Sequence, residues 1–433
     1  IKTYVKDFLD ISGNFTVRNN EDYKWNSYGQ LISGPYESDN NVHFGITLDM
    51  DASGTTIIVG AHRDNIQGSD NGAAYVYRYD TTAEIWYQLG NTLFENGTTD
   101  FGVMTSISDD GSRVAVGDDG VNHIYFYDYN SSTNTWDSAG SITNSIYLDE
   151  LNGIRLSGDG NTIIFGDLRY NNDTGIANVK RNTSGTTWTT IGTFTGTNSG
   201  DVAAQGLSIS YNGNRISFGE KDYGTDSNGN TSLMSGRVAI YDYSGNGTTW
   251  NQVGDWIYGD LAEGRFPRAA KMSSDGSKIV FGSEYFNRVM VYEYDATVTG
   301  SWKQLGSTIF GSYGENSGQF GRAVNMSADG TIIAVGEHEN DDIGTDRGAI
   351  YIYKYINGDW EQQGETLYGP INTGESMGYY HGVGLSADGT KVIGSMLQAD
   401  LNTTESGGVV AWQWSREPMD HPIMEVSGNT FTI

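Results

Sequence analysis

Cysteine is absent from the 433 residues, proline occurs only 5 times, and 25 Lys and Arg stand against 54 Asp and Glu. Without a thiol there is no disulfide, no thiolate nucleophile and no Cys-held zinc or iron–sulfur site. Scarce proline and the lack of a glycine triplet period exclude collagen and Pro-rich disorder. A net charge of −29 repels phosphate backbones and anionic lipid, so neither nucleic acid nor a membrane surface is an expected partner. No apolar run reaches the roughly 18 residues of a spanning helix, so no membrane insertion is expected. The chain opens on Ile1 without a basic segment or apolar signal core, which fits a processed, secreted chain.

What is abundant is glycine, at 59 residues, and aromatic side chains, at 12%. Both fall into a repeat. An apolar strand ending in Gly recurs seven times, at Gly60, Gly117, Gly166, Gly219, Gly282, Gly336 and Gly394, usually after a Ser-x-Asp-Gly or its Asn-Gly variant. Trp-x-x-x-Gly also recurs seven times, starting at Trp25, Trp86, Trp136, Trp188, Trp250, Trp302 and Trp360. Between the two motifs lie aromatic runs such as Ala73–Tyr79 (AAYVYRY), whose alternation predicts a strand buried on alternate faces. Each unit therefore reads as four strands, a to d, with Asp-Gly predicting a type I′ hairpin between a and b.

The order of the motifs sets the architecture. The first Trp-x-x-x-Gly precedes the first a–b unit, and the last strand c, near Val409–Trp414, has no strand d after it. Residues 23–34 would complete the last sheet, closing the ring with both chain ends. The expected fold is all-β, one seven-bladed β-propeller of four-stranded antiparallel blades over residues 21–415. Residues 1–20 form an N-terminal arm and residues 416–433 a C-terminal tail.

The repeat resembles the FG-GAP type, that of the integrin-α-like propellers of extracellular proteins. The Phe-Gly element stands at Phe44-Gly45, Phe101-Gly102 and Phe320-Gly321, a Gly-Ala remnant at Gly60-Ala61, and the unit at 319–353 is most like the family pattern. The resemblance implies a cell-surface or secreted setting. It also implies a calcium loop of DxDxDGxxxD type between strands a and b; Asp49, Asp51 and Gly54 keep part of one, with Ile57 and Ile58 where its closing acid would stand.

Other candidates follow from residue chemistry. No resident cofactor is expected; if an acid-rich b–c loop takes Ca²⁺, its candidate ligands are Asp341, Asp342 and Asp346. The register of the seven Trp, one per unit, predicts packing, which leaves Trp256, Tyr258, Tyr379 and Tyr380 as candidates for ligand contact, including glycans. Gly374-Glu375-Ser376-Met377-Gly378 lacks the strand-to-helix setting of a hydrolase elbow. Glu220, Glu284 and Glu337 follow successive b strands and read as structural by their equivalence. Acceptor sequons place candidate glycans on Asn14, Asn96, Asn130, Asn172, Asn182, Asn230, Asn246 and Asn402; an unchanged intact mass after glycan removal would exclude them. The leading functional expectation is a non-enzymatic extracellular structural or adhesive subunit, self-assembling through its arms. The alternatives are a carbohydrate-binding propeller and, third, a glycoside hydrolase or lyase.

Overall fold

In the computed structural model, the described residues are 23–34, 42–66, 70–97, 99–143, 147–148, 153–224, 234–259, 265–297, 300–314, 318–370, 376–379, 381–401 and 406–416. Residues 1–22 and 417–433, with Asn14, lie outside them, as do Asn230, Tyr380 and Asn402.

Seven antiparallel sheets follow one another along the chain, each in the order a-b-c-d. Blade 1 has strands Leu48–Met50, Thr56–Ala61, Ala73–Asp80 and Ile85–Gln88. Blade 7 has Val383–Leu385, Lys391–Met396 and Gly408–Arg416. Its outer strand comes from the other end of the chain, as Tyr23–Ser27 and Ile32–Ser33. The register runs from Tyr23 opposite Arg416 to Ser27 opposite Trp412, with Trp25 facing Trp414. The ring is thus closed by the N-terminal strand, as the motif order requires.

The apolar core lies between blades. Blades 5 and 6 share a cluster of Val289, Val291, Phe320, Ile333, Val335 and Trp360, and blades 7 and 1 share Tyr28, Ile32, Phe44, Trp86, Ile393 and Val409. Both faces of every blade are therefore covered, which corrects the expected alternation in strand c. In Ala73–Asp80 the first four residues are all buried and the last four all intermediate. A strand sandwiched between two sheets has no solvent face to alternate with.

Trp-x-x-x-Gly is a latch between neighbouring blades. The indole Nε1–H of Trp302 donates to the carbonyl of Val253, the residue before Gly254 in the preceding blade, at 2.8 Å. Trp86 does the same to Tyr28 at 2.8 Å, Trp136 to Leu89 at 2.9 Å, Trp250 to Ile191 at 2.7 Å, Trp360 to Leu305 at 2.7 Å and Trp25 to Gln363 at 2.8 Å. The glycine is required because the indole lies over it: a Cβ on Gly306 would sit 2.7 Å from Trp360 Cδ1. Each Trp thus packs backwards, on the preceding blade. Trp188 departs from the pattern, since its Nε1 has no hydrogen-bond partner among the described residues and its ring stacks on Phe126 at 3.8 Å. Trp302→Phe and Trp360→Phe should each orphan a carbonyl and cost about 1–3 kcal/mol beyond the lost area, whereas Trp188→Phe costs only the area. Denaturation midpoints of the three variants check this; equal losses would contradict the latch.

The a–b hairpins are not type I′. In Ser327-Ala328-Asp329-Gly330 only Gly330 has positive φ (68°), and its N–H donates to Ser327 O at 3.0 Å. Asp329 instead caps the turn, accepting from Ser327 Oγ at 2.7 Å and from the Thr331 amide at 3.0 Å. This side-chain cap favours an ordinary turn followed by one left-handed glycine.

The second residues of these hairpins link into a closed backbone belt, with Asp159, the third residue of its turn, as the donor in blade 3. Ala52 N–H donates to Asp109 O, Asp109 to Gly158, Asp159 to Tyr211, Tyr211 to Ser274, Ser274 to Ala328, Ala328 to Ala387 and Ala387 back to Ala52, all at 2.8–2.9 Å.

Burial raises the carboxyl pKa of Asp110, Asp275, Asp329 and Asp388, but hydrogen bonds from the flanking hydroxyls and amides outweigh it and hold all four below the usual range. A depressed folded pKa stabilises above the unfolded value of about 3.9, and that contribution is lost as pH falls through the folded pKa. Replacing all four by Asn should flatten the fall in melting temperature below about pH 4. An acid limb unchanged in the variant would refute the role of the caps.

Candidate functional site

The innermost strands line an axial cavity bounded by Asp49, Thr105, Arg155, Lys271, Asn325, His381 and apolar neighbours. One position per repeat, two residues before the Ser of Ser-x-Asp-Gly or its Asp51 counterpart, supplies Asp49, Ser106, Arg155, Ser208, Lys271, Asn325 and Gly384. Some of these stitch blades together. Asp49 Oδ2 accepts from Ser106 Oγ at 2.9 Å and from the Ile107 amide at 3.1 Å, while Asn325 Nδ2 donates to Val383 O at 3.3 Å.

Arg155 behaves differently. It projects from blade 3, and its Nη2 donates to Nδ1 of His381 at 2.8 Å. His381 precedes the inner strand of blade 7, so this bond crosses the ring. Burial, followed by the charges of Arg155, Arg268 and Arg322, holds His381 well below the ordinary imidazole range, so the ring is neutral at pH 7. Near the cavity, Arg322 lies 4.8 Å from the Tyr379 ring, and His338, kept at about 3 by burial and then by Arg322 and Arg268, meets the edge of that ring at 4.6 Å.

The sequence candidates fall elsewhere. Trp256 is one side of a stack in which the Arg237 guanidinium lies 3.8 Å from its ring and 3.5 Å from that of Tyr223. Tyr258 pairs with Arg237 through the backbone. Asp342 accepts from Tyr313 and Asn340, and Asp341 Oδ1 accepts from the Asp346 amide at 2.7 Å. Among the described residues no group of three or more His, Asp or Glu is placed to hold a metal ion. Asp51 of the partial calcium motif is occupied by the amides of Thr55 and Thr56.

Glu220 and Glu337 do occupy equivalent sites, opposite Arg237 and Ala349. Ser283, not Glu284, ends strand b of blade 5, and Glu284 opens a short 3-10 turn. Glu220 is held by Arg237 at 2.5 Å and by Thr197. Glu337 accepts from Tyr351 at 2.8 Å and Asn340 at 3.0 Å, and burial pushes its carboxyl up. Ser376 donates to Gln398 at 2.8 Å. Asn96, Asn172 and Asn246 are exposed in turns or short segments, while Asn130 and Asn182 are half-buried at the c–d hairpins, where Asn130 donates to Asp137 and Asn182 to Gly185 O.

The FG-GAP repeat pattern matches residues 35–77 and 306–353. No curated protein sequence matches the chain. Similar solved structures include the β-propeller domain of Cps50 (Swd1) from Myceliophteria thermophila, at 10% identity and TM-score 0.53, covering 89% of this chain and 100% of that one. A 6-phosphogluconolactonase-like protein of Bacteroides uniformis, at 14% identity and TM-score 0.54, covers 78% and 88%, and one of Bacteroides fragilis, at 13% and 0.53, covers 82% and 97%. At these identities the likeness carries the fold alone. No helix among the described residues is long and apolar enough to cross a membrane. Matched repeats, blade count and ring closure together make the chain an FG-GAP-like seven-bladed β-propeller.

Proposed function

We propose that the propeller is a non-enzymatic, extracellular structural or adhesive subunit that assembles with copies of itself through residues 1–20 and 416–433. The observation that carries this reading is the pairing of Tyr23 with Arg416, by which both terminal segments leave the ring at one edge of one blade. An extended arm of 20 residues reaches about 66 Å, far enough to span a neighbouring propeller. A head-to-tail contact of this kind that does not close produces a filament. FG-GAP repeats are typical of extracellular proteins, and exposed Asn96, Asn172 and Asn246 fit a glycosylated surface. The non-catalytic part of the reading is supported by Glu220 and Glu337, whose oxygens are taken up by protein donors. Electron microscopy and gel filtration of the full chain should show assemblies that vanish when residues 1–20 are deleted. Single propellers before and after deletion would overturn arm-driven assembly.

A further inference from the structure

A guanidinium can only donate hydrogen bonds, so the Arg155–His381 contact makes Nδ1 the acceptor and leaves the imidazole proton on Nε2. That Nε2–H is buried and has no partner among the described residues. An orphaned donor in a low-dielectric interior is costly, and a positive field around it makes an anionic acceptor the favoured complement. Arg155 Nη1 also donates to Ile154 O at 3.0 Å, and among the described residues no carboxylate is hydrogen-bonded to this guanidinium. The one acid in the cavity lining, Asp49, acts on Arg155 only through its charge, its oxygens being occupied by Ser106, Ile107 and its neighbour's amide. Lys271 also lines the cavity, and its charge acts on Asp109.

Gly153 packs closely against the side chains of both Arg155 and His381. A Cβ on Gly153 would lie 2.7 Å from Arg155 Nη1 and 2.9 Å from His381 Nε2. Any side chain there would push both donors out of place.

We infer that the axial cavity is a binding site for a small oxyanion, a carboxylate or phosphate group held by Arg155 and His381 Nε2, with Lys271 adding charge. The site is independent of arm-driven assembly. The remaining guanidinium N–H groups and charge suit either oxyanion, and the neutral imidazole contributes a directed donor. In a chain of net charge −29 such a pocket also selects against large anions, which the outer surface repels.

Titration calorimetry of the full chain with inorganic phosphate and, separately, glucuronate in low-salt buffer at pH 7 is expected to give saturable binding of at least one. Phosphate alone would assign phosphate groups, and glucuronate alone carboxylates. Arg155→Met should weaken binding at least about tenfold, through loss of the charge-assisted pair. Gly153→Ala, which removes no charge but displaces Arg155 Nη1 and His381 Nε2, should weaken it comparably. Crystals soaked in selenate test the site without any substitution, and an anomalous peak within hydrogen-bonding distance of Arg155 and His381 is expected. No saturable binding of either anion, or selenate found only elsewhere, would overturn the inference.

Discussion

A chain that begins at Pro35 should not yield a stable, monomeric propeller. The missing strand carries Trp25, Tyr28 and Ile32, each about 5% exposed or less. Trp25 fills the cluster between blades 6 and 7, and Tyr28 and Ile32 that between blades 7 and 1. Losing three buried side chains of this size removes roughly 5–9 kcal/mol of hydrophobic stabilisation, within the range of a whole domain's net stability. The truncation also takes away the carbonyl of Tyr28 that Trp86 uses, and bares the edge of Gly408–Arg416. The inner belt from Ala387 to Ala52 would remain, but it holds hairpins and not sheets. Gel filtration should therefore show aggregates or strand-exchanged oligomers; a cooperative monomeric melt at the full-length temperature would contradict the closure.

Gly282→Ala should destabilise the ring by at least about 3 kcal/mol, since overpacking against backbone has no easy relief. A Cβ at this position would lie 1.7 Å from the carbonyl oxygen of Gly321 in the next blade, so blades 5 and 6 would have to separate. The same close approach brings Gly60 to Gly102, where the distance would be 2.0 Å. This contact joins the two halves of the FG-GAP pattern: the glycine next to the end of strand b of one blade and the glycine after the buried aromatic of the next. Gly314→Ala is the control, because nothing lies within 4 Å of its Cβ position and its φ is not positive. The control should stay within about 0.5 kcal/mol of the parent. Equal melting of the two variants would refute the close-packing account.

Much of the architecture was legible because a propeller repeats its chemistry. Seven glycines near the end of strand b and seven Trp-x-x-x-Gly units count the blades, and the displaced first Trp25 unit reveals the closure. The purpose of the motifs was less legible, because it lies between blades. Nothing within one repeat says that Trp86 rests on Gly29 of another blade, or that Asp109 bonds to Gly158. The turn type was misread because Asp-Gly suits two hairpin geometries, and the Ser hydroxyl three residues before Gly decides between them.

The cavity residues were missed for a related reason. Arg155, Lys271 and Asp49 occupy one repeat position at which the units differ, and a search for sameness passes over it. His381 stands outside that position, and only the closed ring brings it to Arg155. Conversely, Trp256 and Tyr258 stood out as irregular aromatics, and the structure places them around Arg237.

The closed ring itself can be tested with the absence of cysteine as the tool. Lys24 and Ser415 are register partners across the closing sheet, and antiparallel partners stand about 4.5–5.5 Å apart at Cα, within reach of a disulfide. With no native thiol to compete, Lys24→Cys combined with Ser415→Cys and mild oxidation should give a single intramolecular crosslink. The product would be a monomer that migrates faster on a non-reducing gel and reverts on reduction. Crosslinked dimers, or free thiols that persist under oxidation, would show that the two ends do not meet in one blade.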